Sequence, residues 1–318
     1  MQKFLPLFLL ISNIAFAGQH NAPAGIMGDH THKKGEFMMM YNAVHSQMKE
    51  LYNASVDDTL MEYDRAPQKM PMQMYMLGGM YGITDQFNIM VMGHYMKMDM
   101  EMVMGHGSHQ HTHNHSSAGI GDSEITAMYQ VFKNKNQNAQ INIGLVVPTG
   151  SINKRYSNHN TDAKADYMMQ TGSGSYSLRP QVSWSLLEGG YEFGTQATGT
   201  FRLNTNKNGY KFGNTYNATT WVAKVVGGGF SSSLRLEYSK TTNIKGADSD
   251  LTPMQSTTAN PQLYYREAIN TYIGINYKNN FIPMGKILLE VGVPAYQKIG
   301  NGMLKNKYSV NLGFQHGF

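Results

Sequence analysis

Polar and apolar residues alternate with a period of two through most of this chain. Successive strand side chains point to opposite faces, so each alternating stretch describes a strand with one apolar and one polar side. Twelve such segments can be read, from Phe37, Met39, Tyr41 and Ala43 to Tyr308, Val310, Leu312, Phe314 and Phe318. In the eighth, the apolar side is read from Trp221, Ala223 and Val225. The opposite sides are polar, as in Glu192, Gln196, Thr198, Thr200 and Arg202, or Ser231, Ser233, Arg235 and Glu237. A polar inside under an apolar outside is what a membrane-spanning barrel requires. The alternative, a soluble β-sandwich, would pack its apolar faces together.

The connections alternate in length. Short ones include Thr84-Asp85-Gln86, Glu188-Gly189-Gly190 and Gly227-Gly228-Gly229. Long ones run over 49–68, 105–117, 149–174, 205–214, 241–264 and 295–304. This is the pattern of an all-β, antiparallel up-and-down transmembrane barrel of 12 strands, with short periplasmic turns and long extracellular loops. An even strand count puts both chain ends on the periplasmic side. No stretch of about 18 apolar residues follows the N-terminus, which excludes a helical membrane protein. The formal charge of +5 is dispersed, with no basic stripe for nucleic acid. With no cysteine, disulfides and thiolate metal sites are excluded.

Residues 1–17, MQKFLPLFLLISNIAFA, read as a signal peptide with a basic Lys3, a short apolar run and an Ala-x-Ala end. Residues 18–34 are expected to be a His- and Met-bearing periplasmic segment, and residues 35–318 the barrel in the cell outer membrane. Its surroundings are therefore outer-membrane lipid.

The chain holds 25 methionines, and their placement is not random. Met70, Met72, Met74, Met76 and Met80 share one face of a strand. After the turn at residues 83–86, Met90, Met92, His94, Met96, Met98, Met100, Met102 and Met104 share one face of the next. If that hairpin pairs residues whose numbers sum to 170, Met80 meets Met90, Met76 meets His94, Met74 meets Met96, Met72 meets Met98 and Met70 meets Met100. A histidine facing lipid is costly, whereas Phe87, Ile89, Val91 and Tyr95 make an ordinary lipid surface. The methionine face is therefore expected to point into the lumen.

Thioether sulfur is a soft ligand that selects Cu(I), and imidazole suits Cu(II), Zn and Ni. His106, His109, His111, His113 and His115 follow the methionines and are expected to lie in the second long loop, at the outer mouth. Cleavage after Ala17 would expose Gly18-Gln19-His20. Its amine, two amide nitrogens and imidazole can wrap one square-planar Cu(II) or Ni(II). Met27, His30 and His32 follow closely and could complete a periplasmic copper-handling arm. Against this stands a plainer account, in which methionine is a flexible hydrophobe, the histidines a solvated loop, and residues 18–34 a polar tether.

Several stretches carry a resemblance: APAGIMGDHTHKKGEFMMMY (22–41), MPMQMYMLGGMYGITD (70–85), GIGDSEI (119–125), GLVVPTGSI (144–152), GSGSYSL (172–178), GADSDLTP (246–253) and LEVGVPAYQ (289–297). They resemble a family of Gram-negative outer-membrane transporters, the MetA-pathway phenol-degradation group, whose members look like Met-rich barrels often associated with copper-handling genes. The resemblance implies an outer-membrane barrel and a transport role. The long His segment and the run of methionines through Met104 set this chain apart from that pattern.

Three functions are weighed. The first is a channel that binds or passes soft metal ions, most readily copper as Cu(I) or Cu(II), with no required cofactor and with periplasmic copper-handling proteins as partners. The second is a passive porin for small aromatic or hydrophobic compounds. The third, an outer-membrane hydrolase, lacks both a G-x-S-x-G elbow and a serine placed near His45 or His316, so no enzymatic role is expected.

Overall fold

The computed structural model describes residues 21–105, 109–156, 163–278 and 285–318. The strands are β1 (Phe37–Leu51), β2 (Arg65–Gly82), β3 (Phe87–Met104), β4 (His111–Ile120), β5 (Ser123–Lys133), β6 (Gln137–Val147), β7 (Ser177–Glu188) and β8 (Tyr191–Arg202). They continue with β9 (Tyr210–Lys211), β10 (Thr215–Gly227), β11 (Phe230–Thr241), β12 (Lys245–Gly246), β13 (Arg266–Lys278), β14 (Lys286–Ile299) and β15 (Leu304–Gly317). All but β9 and β12 belong to one antiparallel sheet, which closes where β1 pairs with both β2 and β15. β4 and β5 lie in line and act as one stave: β4 pairs the outer part of β3 and β5 its inner part. The result is a closed barrel of 12 staves.

Closure gives every stave a paired neighbour on both sides, which is the condition for crossing a membrane with strands. The first and last strands meet in the wall, where Phe37 N donates to Phe318 O at 3.3 Å and Phe318 N to Phe37 O at 2.7 Å. The outward faces carry the apolar residues, among them Tyr75, Leu77, Ile89, Val91, Ile141, Leu234, Ile273 and Leu312, all exposed to the surrounding lipid. β10 departs from the expected parity. Trp221 and Ala223 point inward and are buried, and Tyr216 faces out instead. The physical reason is a local apolar patch inside the barrel, where Trp221 packs against Ala22 and Ile26 of the N-terminal segment.

That segment does not extend into the periplasm. Residues 21–36 run through the lumen near the end with short turns. Met27 O accepts from Gln181 Nε2 at 3.0 Å and from Gln196 Nε2 at 3.1 Å. Gly28 O accepts from Asn142 Nδ2 at 2.7 Å, Gln181 Nε2 at 3.0 Å and Gln140 Nε2. Asp29 O accepts from Asn138 Nδ2 at 2.8 Å. Asn88 grips both backbone groups of His32, accepting from its N–H at 2.6 Å and donating to its carbonyl at 3.0 Å. The amides on the inner wall thus replace the water that an irregular backbone would otherwise need. A segment expected to be a periplasmic arm is instead a plug.

The other end is closed by loops. Helix α1 (Val56–Glu62) begins with a capping box between Ser55 and Asp58. Beneath it, Asp166 is fully buried and accepts from Ser256 Oγ at 2.6 Å and Thr258 Oγ1 at 2.5 Å, with Arg65 Nη2 at 3.5 Å. These polar contacts tie two separate loops to the start of β2 at the outer mouth.

Candidate functional site

The hairpin register follows the expected sum. Met80 pairs with Met90, Met76 with His94, Met74 with Met96 and Met72 with Met98. The ladder shifts by one residue between Pro67 and Lys69. Along β3, and on β2 from Met70 onward, the even-numbered face points inward, since Tyr75, Leu77, Val91 and Tyr95 on the other face are the exposed ones. The thioether row is therefore a lumen surface.

It divides into three zones. Toward the plug, Met38, Met40, Met80, Met90 and Met128 form a buried cluster joined by Met27 and Met92. Met38, Met80 and Met90 are laterally adjacent on β1, β2 and β3. Gly78 leaves the space these side chains use, because a Cβ there would sit 2.9 Å from Met92 Cγ and 3.0 Å from Met40 Cγ. Toward the outer mouth, Met48, Met70, Met98, Met100, Met102 and Met169 pack with Tyr156 and Leu304. There the methionines are core, packed against Tyr156, Ala165 and Met169, and do not line an open passage. Thioethers fill such irregular gaps well because the chain is unbranched and flexible.

Between the clusters lies a cavity of about 440 Å³ whose wall includes Met74, Met76, Met92, Met96 and His94. Its other side carries Arg179, Arg202, Asp122 and Glu124. Arg179 Nη1 bonds Glu124 Oε2 at 2.7 Å, and Asp122 accepts from Ser173 Oγ at 2.6 Å. His94 fills the space beside Gly121, where any Cβ would collide with its ring. One wall of this cavity is thus soft and apolar, the other charged and internally paired.

Three of these histidines, His111, His113 and His115, are not in a loop. β4 begins at His111, and the period-two pattern HTHNH continues the strand. His111 pairs with Met104, His113 with Met102 and His115 with Met100. The row expected to follow the methionines end to end instead runs beside them on the same face. The reason is length: β3 has 18 residues, and roughly ten cross the bilayer. The outer half of β3 needs a partner, and residues 111–120 supply it. His115 is buried, its ring 4.1 Å from that of Tyr156. His109 is exposed beyond the strand, and His106 lies outside the described residues.

At the plug, His30 and His32 rings lie 5.1 Å apart and edge to face. His32 Nδ1 is 3.6 Å from Glu36 Oε2, and its Nε2 is buried without a hydrogen bond. Burial, and then the charge of His30, bring the His32 imidazole down to about 4. Met27 sits in the inner methionine cluster, with Asn42 Nδ2 3.9 Å from its sulfur. His20 and the signal sequence lie outside the described residues. Among the described residues, no three His, Asp or Glu side chains are grouped to hold a metal ion.

Sequence reading missed Met38, Met40, Met48, Met128 and Met169. Met38 and Met40 alternate with the outward Phe37, Met39 and Tyr41 in a strand with no long methionine row, and Met128 stands alone on its strand. Only the closed sheet brings them beside the recognised row.

Residues 81–283 match the family described as "Putative MetA-pathway of phenol degradation". The chain belongs to this family. Among solved structures, it is similar to an outer membrane channel from Pseudomonas putida F1, with a TM-score of 0.63 at 14% identity, covering 91% of this chain and 98% of that one. The beta domain of the Bordetella autotransporter BrkA follows at a TM-score of 0.49 and 8% identity, covering 90% and 100%. The KdgM porin aligns at 0.42 and 12% identity, covering 87% and 99%. No curated protein matches the sequence. The first of these folds agrees with the closed barrel, which places the chain in the outer membrane.

Proposed function

We propose that this barrel binds soft metal ions, copper(I) first among them, in its thioether-walled lumen and passes them across the outer membrane. The observation that carries the reading is the cavity bounded by Met74, Met76, Met92, Met96 and His94. A lumen surface is normally polar. Four thioethers and one imidazole on such a surface supply soft donors in number, and weak, repeated sites are what conduction needs.

The test is a Cu(I) titration of the detergent-solubilised barrel against a competing chelator, with Met74, Met76, Met92 and Met96 all changed to Leu. Leucine keeps volume and apolar character and removes only sulfur. The native barrel should hold more Cu(I) than the leucine form. Equal binding would refute the copper reading. Entry of small aromatic compounds would then lead, supported by the family description and by Phe212 in the cavity wall.

A further inference from the structure

The pairing of β3 with β4 places imidazoles directly across from thioethers. Directly opposed residues of an antiparallel pair have Cβ atoms about 4.5–5.5 Å apart. Two of the three Met–His pairs contain a buried member, Met102 with no exposure and His115 with 6%. The pair nearest the tip is different. His111 is exposed, while Met104 and its neighbour His113 are half-buried. The rings of His111 and His113 lie 5.0 Å apart, at 74° to one another.

One hydrogen bond sets the chemistry of His111. Its Nδ1 is 3.1 Å from the carbonyl oxygen of His109. A carbonyl only accepts, so Nδ1 carries the proton and Nε2 keeps its lone pair. That is the arrangement by which a backbone carbonyl orients a metal-binding imidazole. The tip is also held in place, because Gln110 Nε2 donates to Asp57 Oδ1 at 2.6 Å, tying the hairpin to α1. On the other side of Met104, Arg65 is turned toward Asp166 and Tyr156.

We infer that Met104, His111 and His113 form a capture site for one soft monovalent ion, Cu(I) or Ag(I), at the extracellular end of the β3–β4 hairpin. Two imidazoles and one thioether give a low-coordinate N,N,S set. A borderline divalent ion such as Zn(II) prefers four harder ligands and gains nothing from a thioether. The site stands above the buried methionine cluster, and its outermost ligand, His111, is exposed to the medium. Its place as an entry point rests on the lumen reading above, but its ability to bind does not.

The test uses the full mature barrel in detergent and Ag(I), which has no redox chemistry to confuse the count. Met104→Leu and His111→Gln are compared with the native protein and with the four-leucine lumen variant. Heat-modifiable gel mobility checks that each barrel is closed. Met104→Leu and His111→Gln should each remove one bound Ag(I) per chain, and the lumen variant should retain that ion. X-ray absorption of the lumen variant should show mixed nitrogen and sulfur ligation, with the sulfur shell lost on adding Met104→Leu. Unchanged stoichiometry in Met104→Leu would overturn the inference, because the site would then be imidazole alone or absent. Loss of ions in the lumen variant with none lost in Met104→Leu would leave the lumen reading standing and this one refuted. The reverse pattern would refute the lumen reading and leave this one standing.

Discussion

Met100 separates the two roles a methionine can have in this barrel. It is 1% exposed and packs with Met98, Met102, Tyr156 and Leu304 beneath the outer loops. Met100→Ala deletes three heavy atoms from a site with almost no solvent. At about 0.8 kcal/mol per buried methylene-sized group, transfer alone costs roughly 2.4 kcal/mol. The cavity left behind adds to this, for a total of about 2–5 kcal/mol. Met100→Leu keeps nearly the same volume and should cost less than about 1.5 kcal/mol. Met76, by contrast, is half-buried on the cavity wall, so Met76→Leu should leave stability within about 0.5 kcal/mol of native. The assay is urea unfolding in detergent, followed by tryptophan fluorescence from Trp184 and Trp221, with Cu(I) binding measured on the same samples. The expected order is a large loss for Met100→Ala, a small one for Met100→Leu and none for Met76→Leu, with copper binding reduced only by the last. If Met100→Leu were as damaging as Met100→Ala, volume could not explain it. Sulfur at position 100 would then be chemically engaged, and the division of the row into core and cavity would be wrong.

Two further outcomes concern the plug. Asn88 is fully buried and holds both backbone groups of His32, so Asn88→Leu strands a donor and an acceptor at about 1–3 kcal/mol each. Single-channel conductance in planar bilayers should rise and residues 21–36 should become sensitive to protease; unchanged conductance would mean that the glutamine and asparagine contacts to residues 27–29 suffice. The second outcome is pH-dependent. His32 takes a proton near pH 6.5 when released but only near pH 4 when seated, because burial and then His30 oppose the charge, while Glu36 and Asp29 only partly offset them. Lys33, Lys133, Lys278 and Lys286 line the same cavity. The released state therefore binds more protons between these values, so seating weakens as pH falls from about 6.5 to about 4. Conductance should rise over that window, and His32→Gln should flatten the response; an identical pH profile in that variant would assign the effect elsewhere.

What could be read from the sequence depended on whether a residue's partner was local. The β2–β3 register was legible because a short turn joins the two strands, and the turn leaves few alternatives. The lumen orientation of the methionines was legible from His94 alone, since only one side could shelter an imidazole. Trp221 was misread because its partners, Ala22 and Ile26, lie some two hundred residues earlier in the chain. An apolar side chain on a spanning strand suggests lipid unless something apolar is already known to fill the lumen. The histidine segment was misread for a related reason. Glycine, serine and histidine suggest a loop, and only the surplus length of β3 recruits HTHNH into a strand.

The plug is the most instructive case, because its fixing points are main-chain carbonyls and N–H groups, and these leave no mark on residue type in the segment itself. The mark is on the other partner. Asn138, Gln140 and Asn142 form an inward row on β6, continued by Gln181 on β7 and Gln196 on β8. A lumen meant only to hold water has no reason to prefer neutral amides over charged groups, and charge is abundant on the neighbouring strands, as Glu124, Arg179 and Arg235 show. Amides can donate to a peptide carbonyl without the desolvation cost of a buried charge. A row of five neutral donors on an inward face is therefore physically a request for a neutral, acceptor-rich ligand. Here the chain's own backbone meets that request.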